Sequence, residues 1–172
     1  MIRRSDITAT ALWLVALFLV IYVSTYGKVV LNGTASLPHN AYLMISWPKN
    51  ITHGRYVIFP PPAVVAGPFD GAHFVKRIQG LPGDQIKTDG QFVCVNATCS
   101  GLRSEMLARG FGPNEHSRVP DGHVYVVGDS PSSLDSRYQA IGLVKIDDIQ
   151  AVGWPVSLPH WTKIANWLEI KQ

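Results

Sequence analysis

Three short stretches carry side chains that could do chemistry. In His73-Phe-Val-Lys-Arg-Ile-Gln-Gly-Leu-Pro-Gly-Asp84, the alternation of a strand puts Phe74, Lys76 and Ile78 on one side and His73, Val75 and Arg77 on the other. A lysine between two apolar neighbours is a candidate general base, because desolvation favours the neutral amine. A lysine that reaches past a sheet edge into water fits the same pattern. In Asn32-Gly-Thr-Ala-Ser-Leu-Pro-His-Asn-Ala-Tyr42, Ser36 sits between Thr34 and Pro38. The proline restricts the backbone before it and can hold the hydroxyl in one pose, whereas a plain loop serine is solvated. The third stretch, Gly128-Asp-Ser-Pro-Ser-Ser-Leu-Asp-Ser-Arg-Tyr138, follows the apolar run Val124 to Val127, and its aspartates and serines also suit an ordinary turn.

The elements that must position these groups begin with an apolar run. No charged residue occurs from Ile7 to Gly27, and at about 1.5 Å per residue a helix over that run crosses roughly 30 Å, the core of a bilayer. Arg3 and Arg4 precede it, which predicts a cytoplasmic N-terminus with everything after Lys28 on the far side. A cleavable signal peptide is the rival reading, since Gly33-Thr34-Ala35 offers small residues for processing before Ser36. The length of the run and the spacer from Lys28 to Leu31 favour a retained anchor. The expected division is 1–28 as cytoplasmic tip and anchor and 29–172 as an exported domain.

The segments after the anchor read mainly as strands. Tyr42 to Trp47, Tyr56 to Phe59, Phe74 to Ile78, Phe92 to Val95 and Val124 to Val127 are short, β-branched or aromatic, and bounded by turn residues. Between Lys28 and Trp154 a helical turn is expected only around Ser104 to Ala108. Closely spaced strands with few helices predict a mostly β, barrel-like antiparallel domain. Pro60-Pro61-Pro62 and the residues up to Gly71 form a connection that is long for a hairpin. Near the end, Trp161, Ile164, Ala165 and Leu168 fall at helical spacing with Trp154 and Trp167 nearby, which suits a segment at the membrane interface or an ordinary core helix.

Cys94 and Cys99 are the two cysteines. Flanking Asn96-Ala-Thr98, which is also a glycosylation sequon, they read as a hairpin stapled across its turn in an oxidising compartment. Zinc is the alternative, but there is no second pair, and the six histidines are scattered without ligand spacing. The net charge of +3 is not clustered, so nucleic acid is not expected as a partner and membrane phosphates are the more natural neighbour.

Together the three stretches, in this order after one apolar run, resemble the membrane-anchored serine–lysine signal peptidase family. Lys76-Arg77 followed by Gly80-Leu-Pro-Gly-Asp84 looks like that family's lysine box. Gly128-Asp129 through Ser133-x-Asp135-Ser136-Arg137-Tyr138 looks like its C-terminal box. Thr34-x-Ser36-x-Pro38, the following Tyr42, the small domain and Phe59-Pro-Pro61 are closest to the TraF-type peptidases of conjugative transfer. Two departures concern the substrate more than the chemistry: Leu37 stands before Pro38 where housekeeping leader peptidases carry methionine, and Arg55 stands where an aspartate is common.

The resemblance implies Ser36 as nucleophile and Lys76 as general base. Ser133 would orient the lysine amine, Asp135 and Arg137 would support the loop, and the Ser36 N–H with the Thr34 hydroxyl would form the oxyanion site. It implies no metal or organic cofactor. The substrate would be a pilin precursor or another exported preprotein, cleaved and in some members cyclised, beside the lipid bilayer and other conjugation or type IV secretion components, with the domain in the periplasm of a bacterial inner membrane. A general type I signal peptidase and a non-catalytic membrane-tethered β scaffold are the alternatives.

Overall fold

The apolar run folds as helix α1 (Arg4–Tyr26), and strand β1 (Gly27–Leu31) follows without a linker. The computed structural model describes residues 4–32, 36–65, 67, 71–157, 159, 160, 163 and 167, with side chains from residue 8 onward. The stretch Thr8–Tyr26 is long and apolar enough to cross a membrane, and the large side chains on it stand outside the packed domain, Leu12 at 70% and Trp13 at 77% exposure. A helix this apolar, with its large side chains this exposed, has lipid as its natural solvent.

The domain is an antiparallel β structure. β2 (Ala41–Ile45), β3 (Tyr56–Phe59), β4 (Phe74–Gly80), β8 (His123–Val127), β9 (Val144–Lys145) and β10 (Ala151–Val156) join β1 in a seven-stranded sheet of order β1-β2-β10-β3-β4-β8-β9. β5 (Ile86–Thr88), β6 (Phe92–Val95) and β7 (Thr98–Gly101) form a second, three-stranded sheet. A short helix α2 (Ser104–Ala108) occupies the expected position. The mostly β expectation is therefore met.

The large sheet is buried on both faces. β3 alternates Val57 and Phe59 into one apolar cluster with Ile78, Val124, Val126 and Val152, and Tyr56 and Ile58 into another with Leu37, Tyr42 and Met44. β8 does the same: Tyr125 and Val127 pack on Ile86, Val93 and Val95 of the small sheet. Period-two alternation with apolar residues on both sides is what a covered sheet demands.

Several boundaries differ from expectation. β3 and β4 pair directly, Tyr56↔Arg77 through Phe59↔Phe74, so the long proline-rich connection joins two neighbouring strands. β10 is a strand and carries Trp154, which the sequence had grouped with a terminal helix. Pro155 obscured it; it pairs with Tyr42 of β2 but lies beyond the Ala151–Gly153 stretch that pairs with β3, so on the β3 side its missing N–H has no ladder to break. Trp161, Ile164, Ala165 and Leu168 lie outside the described residues.

Cys94 and Cys99 are joined in a disulfide and face each other in the β6–β7 register. The turn between them places Asn96 at φ 51°, a left-handed conformation that asparagine tolerates.

Candidate active site

Lys76 stands in the middle of β4, opposite Val57 in register. It is 6% exposed, so the alternation that put it on the apolar side was correct and it does not reach water at an edge. Burial lowers its amine from 10.5 to about 8, with Arg137 adding to the drop while Asp135 and Asp129 oppose it. The Phe74 ring lies 5.6 Å from Nζ.

Lys76 Nζ donates to Ser133 Oγ at 2.8 Å. Ser133 is itself buried and comes from the loop after β8, brought to β4 because the two strands pair, Arg77↔Val127 and Ile78↔Val126. The same loop meets Ser36: the Ser130 N–H donates to the Ser36 carbonyl at 3.1 Å. Gly128 lies between the two serines. A Cβ there would overlap Ser133 Oγ and stand 3.0 Å from the Ser36 carbonyl, so only glycine lets the segments approach this closely. Ser36, Ser133 and Lys76, far apart in sequence, thus converge at one place. Thr34, the second expected oxyanion donor, lies outside the described residues.

The loop is held by a buried ion pair. Asp135 and Arg137, 0% and 3% exposed, meet through Nε–Oδ1 and NH2–Oδ2 contacts, each 2.8 Å. Asp135 Oδ2 also accepts the Gly128 N–H at 2.8 Å. Arg137 donates to the carbonyls of Ser130 and Ser133 at 3.2 and 3.1 Å and of Gly101 at 3.0 Å. Burial acts to lower the guanidinium, but the hydrogen bonds and charge of Asp135 outweigh it and the net shift is upward. A buried pair with its remaining donors satisfied keeps a loop in one conformation, because breaking it strands a charge.

Other residues in the arrangement were not singled out as site residues. Arg77 donates through Nε and NH2 to Asp129 Oδ1 at 3.1 and 2.6 Å, clamping β4 to the residue after Gly128. Asn114, 1% exposed, donates to the Ser136 carbonyl at 2.8 Å. Asp84 accepts from the Leu81 N–H, His53 and Asn96 at 2.7, 2.7 and 2.8 Å, which closes the turn after β4. Arg77 and Asp129 were visible in the two boxes, but their pairing depends on the β4–β8 register. Asn114 lies in a stretch with no sequence pattern around it.

An apolar N-terminal helix thus leads into an antiparallel β domain in which a buried lysine donates to one serine beside the backbone of a second. The family model "Signal peptidase, peptidase S26" matches residues 1–156, and the chain belongs to that family. The mitochondrial inner membrane protease subunit 1 of Saccharomyces cerevisiae is 34% identical over 129 residues, 71% of this chain and 64% of that one. The signal peptidase I of Bacillus licheniformis is 33% identical over 94 residues, 47% of this chain and 48% of that one. The chain thus spans about half to two thirds of the length of these relatives. A signal peptidase I structure from Enterococcus faecalis is 26% identical with a TM-score of 0.40, covering 60% of this chain and 97% of that one.

Proposed function

We propose that the protein is a membrane-anchored serine endopeptidase that removes leader peptides from exported precursors, with Ser36 as nucleophile and Lys76 as general base. The observation that carries this reading is the Lys76 amine: buried, lowered to about 8 and hydrogen-bonded to Ser133 at 2.8 Å. A base poised near neutrality can take a hydroxyl proton as the serine attacks a peptide carbonyl and return it to the leaving amine. Ser133 fixes the amine's direction. The Asp135–Arg137 pair and the Arg77–Asp129 clamp hold that serine and Gly128 against the Ser36 backbone. The Ser36 N–H and the Thr34 hydroxyl meet the developing oxyanion. Water then resolves the acyl-enzyme. The domain lies on the far side of the membrane from the N-terminus, where an emerging precursor presents an extended segment.

The Bacillus licheniformis relative is named a signal peptidase I and the yeast one a mitochondrial inner membrane protease subunit, which favours general leader-peptide removal over a dedicated role in conjugation. A narrower reading, cleavage or cyclisation of a pilin precursor in conjugation, is carried by Thr34-x-Ser36-x-Pro38 and Tyr42. In it an amine instead of water attacks the acyl-enzyme.

The test is processing of co-expressed precursors, one leader-bearing protein and one pilin, read by intact mass beside Ser36→Ala and Lys76→Ala. Wild type alone should yield the shortened product, and a pilin product one water lighter than the linear peptide would establish the narrower reading. Equal processing by both variants would overturn the assignment in favour of a non-catalytic scaffold. Replacement of Thr34 by valine is expected to slow turnover by about 3 kcal/mol in barrier with the fold intact; near-normal kcat would remove Thr34 from the oxyanion site.

A further inference from the structure

The junction between α1 and the β domain is a bonded joint. β1 starts at Gly27, the residue after the helix ends, and a Cβ on Gly27 would run into the Val23 carbonyl. The Tyr26 carbonyl accepts the Ser46 N–H at 2.9 Å and the Ser46 hydroxyl at 3.2 Å. The Tyr22 hydroxyl, one turn deeper in the helix, donates to the Trp47 carbonyl at 2.7 Å. The Trp47 ring packs on Tyr26 at 5.8 Å between centroids, Tyr26 on Tyr22 at 5.3 Å, and Tyr22 on Phe18 at 6.4 Å. Yet Trp47 remains 62% exposed.

These contacts fix a depth. Tyr22 and Tyr26 belong to the candidate span Thr8–Tyr26. A group bonded to the hydroxyl of one and stacked on the ring of the other must lie level with the last helical turn. If α1 spans the bilayer, that level is the headgroup region, where an indole and two phenols with one apolar and one polar end are at home. We propose that the loop between β2 and β3, led by Trp47, is a lipid-interface site, and that its clasp on α1 holds the domain at fixed height instead of on a tether. This rests on the reading of α1 as a membrane anchor.

The consequence for the reaction follows from β1 and β2. They pair from Gly27↔Ile45 to Leu31↔Ala41, so the clasp lies at one end of the hairpin and the connection carrying Ser36 at the other. Five strand residues at about 3.3 Å each place that connection within roughly 17 Å of the lipid level. The hairpin therefore sets how far from the bilayer a precursor is cut.

The experiment uses the full chain in vesicles of phosphatidylcholine and phosphatidylglycerol. Two variants each retain one tryptophan, Trp13 or Trp47, the others being replaced by phenylalanine. Trp13 should be quenched by lipids brominated near the chain terminus. Trp47 should emit at shorter wavelength than in water, lose most of its emission to lipids brominated near the carbonyl, and be shielded from acrylamide. Trp13 quenched with Trp47 open to acrylamide would overturn the clasp while leaving the anchor; Trp13 also open to acrylamide would overturn the anchor reading itself. In the unmodified chain, a phospholipid carrying a headgroup diazirine should label residues 46–50, and labelling confined to α1 would overturn the proposal. None of these readouts depends on proteolysis.

Discussion

With Lys76 as the proposed general base, its burial gives the proposed reaction a pH window. With its amine near 8 in the folded chain against 10.5 ordinarily, the neutral form becomes available on the alkaline side of neutrality. The pH profile of kcat/KM should rise with an apparent midpoint near 8 as Lys76 deprotonates. The same shift is a stability statement. Between the folded and unfolded values the unfolded chain binds more protons, so stability rises with pH across that window, and below it the charged amine costs on the order of 3 kcal/mol. Lys76→Met should therefore abolish processing while raising the denaturation midpoint at pH 7, a gain on the order of 1–3 kcal/mol measured by denaturant unfolding. Ser133→Ala removes the acceptor of the Nζ bond. It should lower kcat by about 10- to 100-fold, as expected when a buried donor loses its partner, and move the pH midpoint, which a merely structural role would leave in place.

The elements act as clamps on those residues. The β4–β8 pairing brings the lysine strand to the serine loop, and Arg137 ties that loop to the Gly101 carbonyl at the end of β7. β7 is in turn stapled to β6 by Cys94–Cys99. Replacing both cysteines by serine should cost about 2 kcal/mol of stability in the chain-entropy account of so short a loop, seen as a lower melting temperature. Activity at 25 °C should persist, because the Asp135–Arg137 pair and the Gly128 contact remain. Loss of activity in a folded double variant would show that the hairpin positions the site through Gly101.

For the whole molecule, the exposed helix and its direct entry into β1 lead to a topology expectation. The chain should stay with membranes after an alkaline wash, and protease added from the side opposite the N-terminus should digest the domain. Release by the wash would separate the helix from a spanning role, and digestion from the N-terminal side would invert the orientation drawn from Arg3 and Arg4.

The sequence by itself determined the features that depend on local spacing. The apolar run marked α1, short β-branched or aromatic runs between turn residues marked β3, β4 and β8, alternation put Lys76 on the apolar face of β4, the Asn96 turn marked a cysteine-stapled hairpin, and the two boxes with Ser36 named the candidate chemistry. Boundaries were lost where a local rule was overridden: Pro155 hid β10, and the proline-rich connection hid the direct β3–β4 pairing. Tertiary structure alone decided the convergence. Whether Lys76 was buried or reached water depended on sheets covering both faces, and which serine met its amine depended on the β4–β8 register. The Arg77–Asp129 clamp, the place of Asn114 and the Trp47 joint to α1 are likewise contacts between residues remote in the chain. No sequence period encodes them, because packing and strand pairing fix such distances only once the whole sheet has formed.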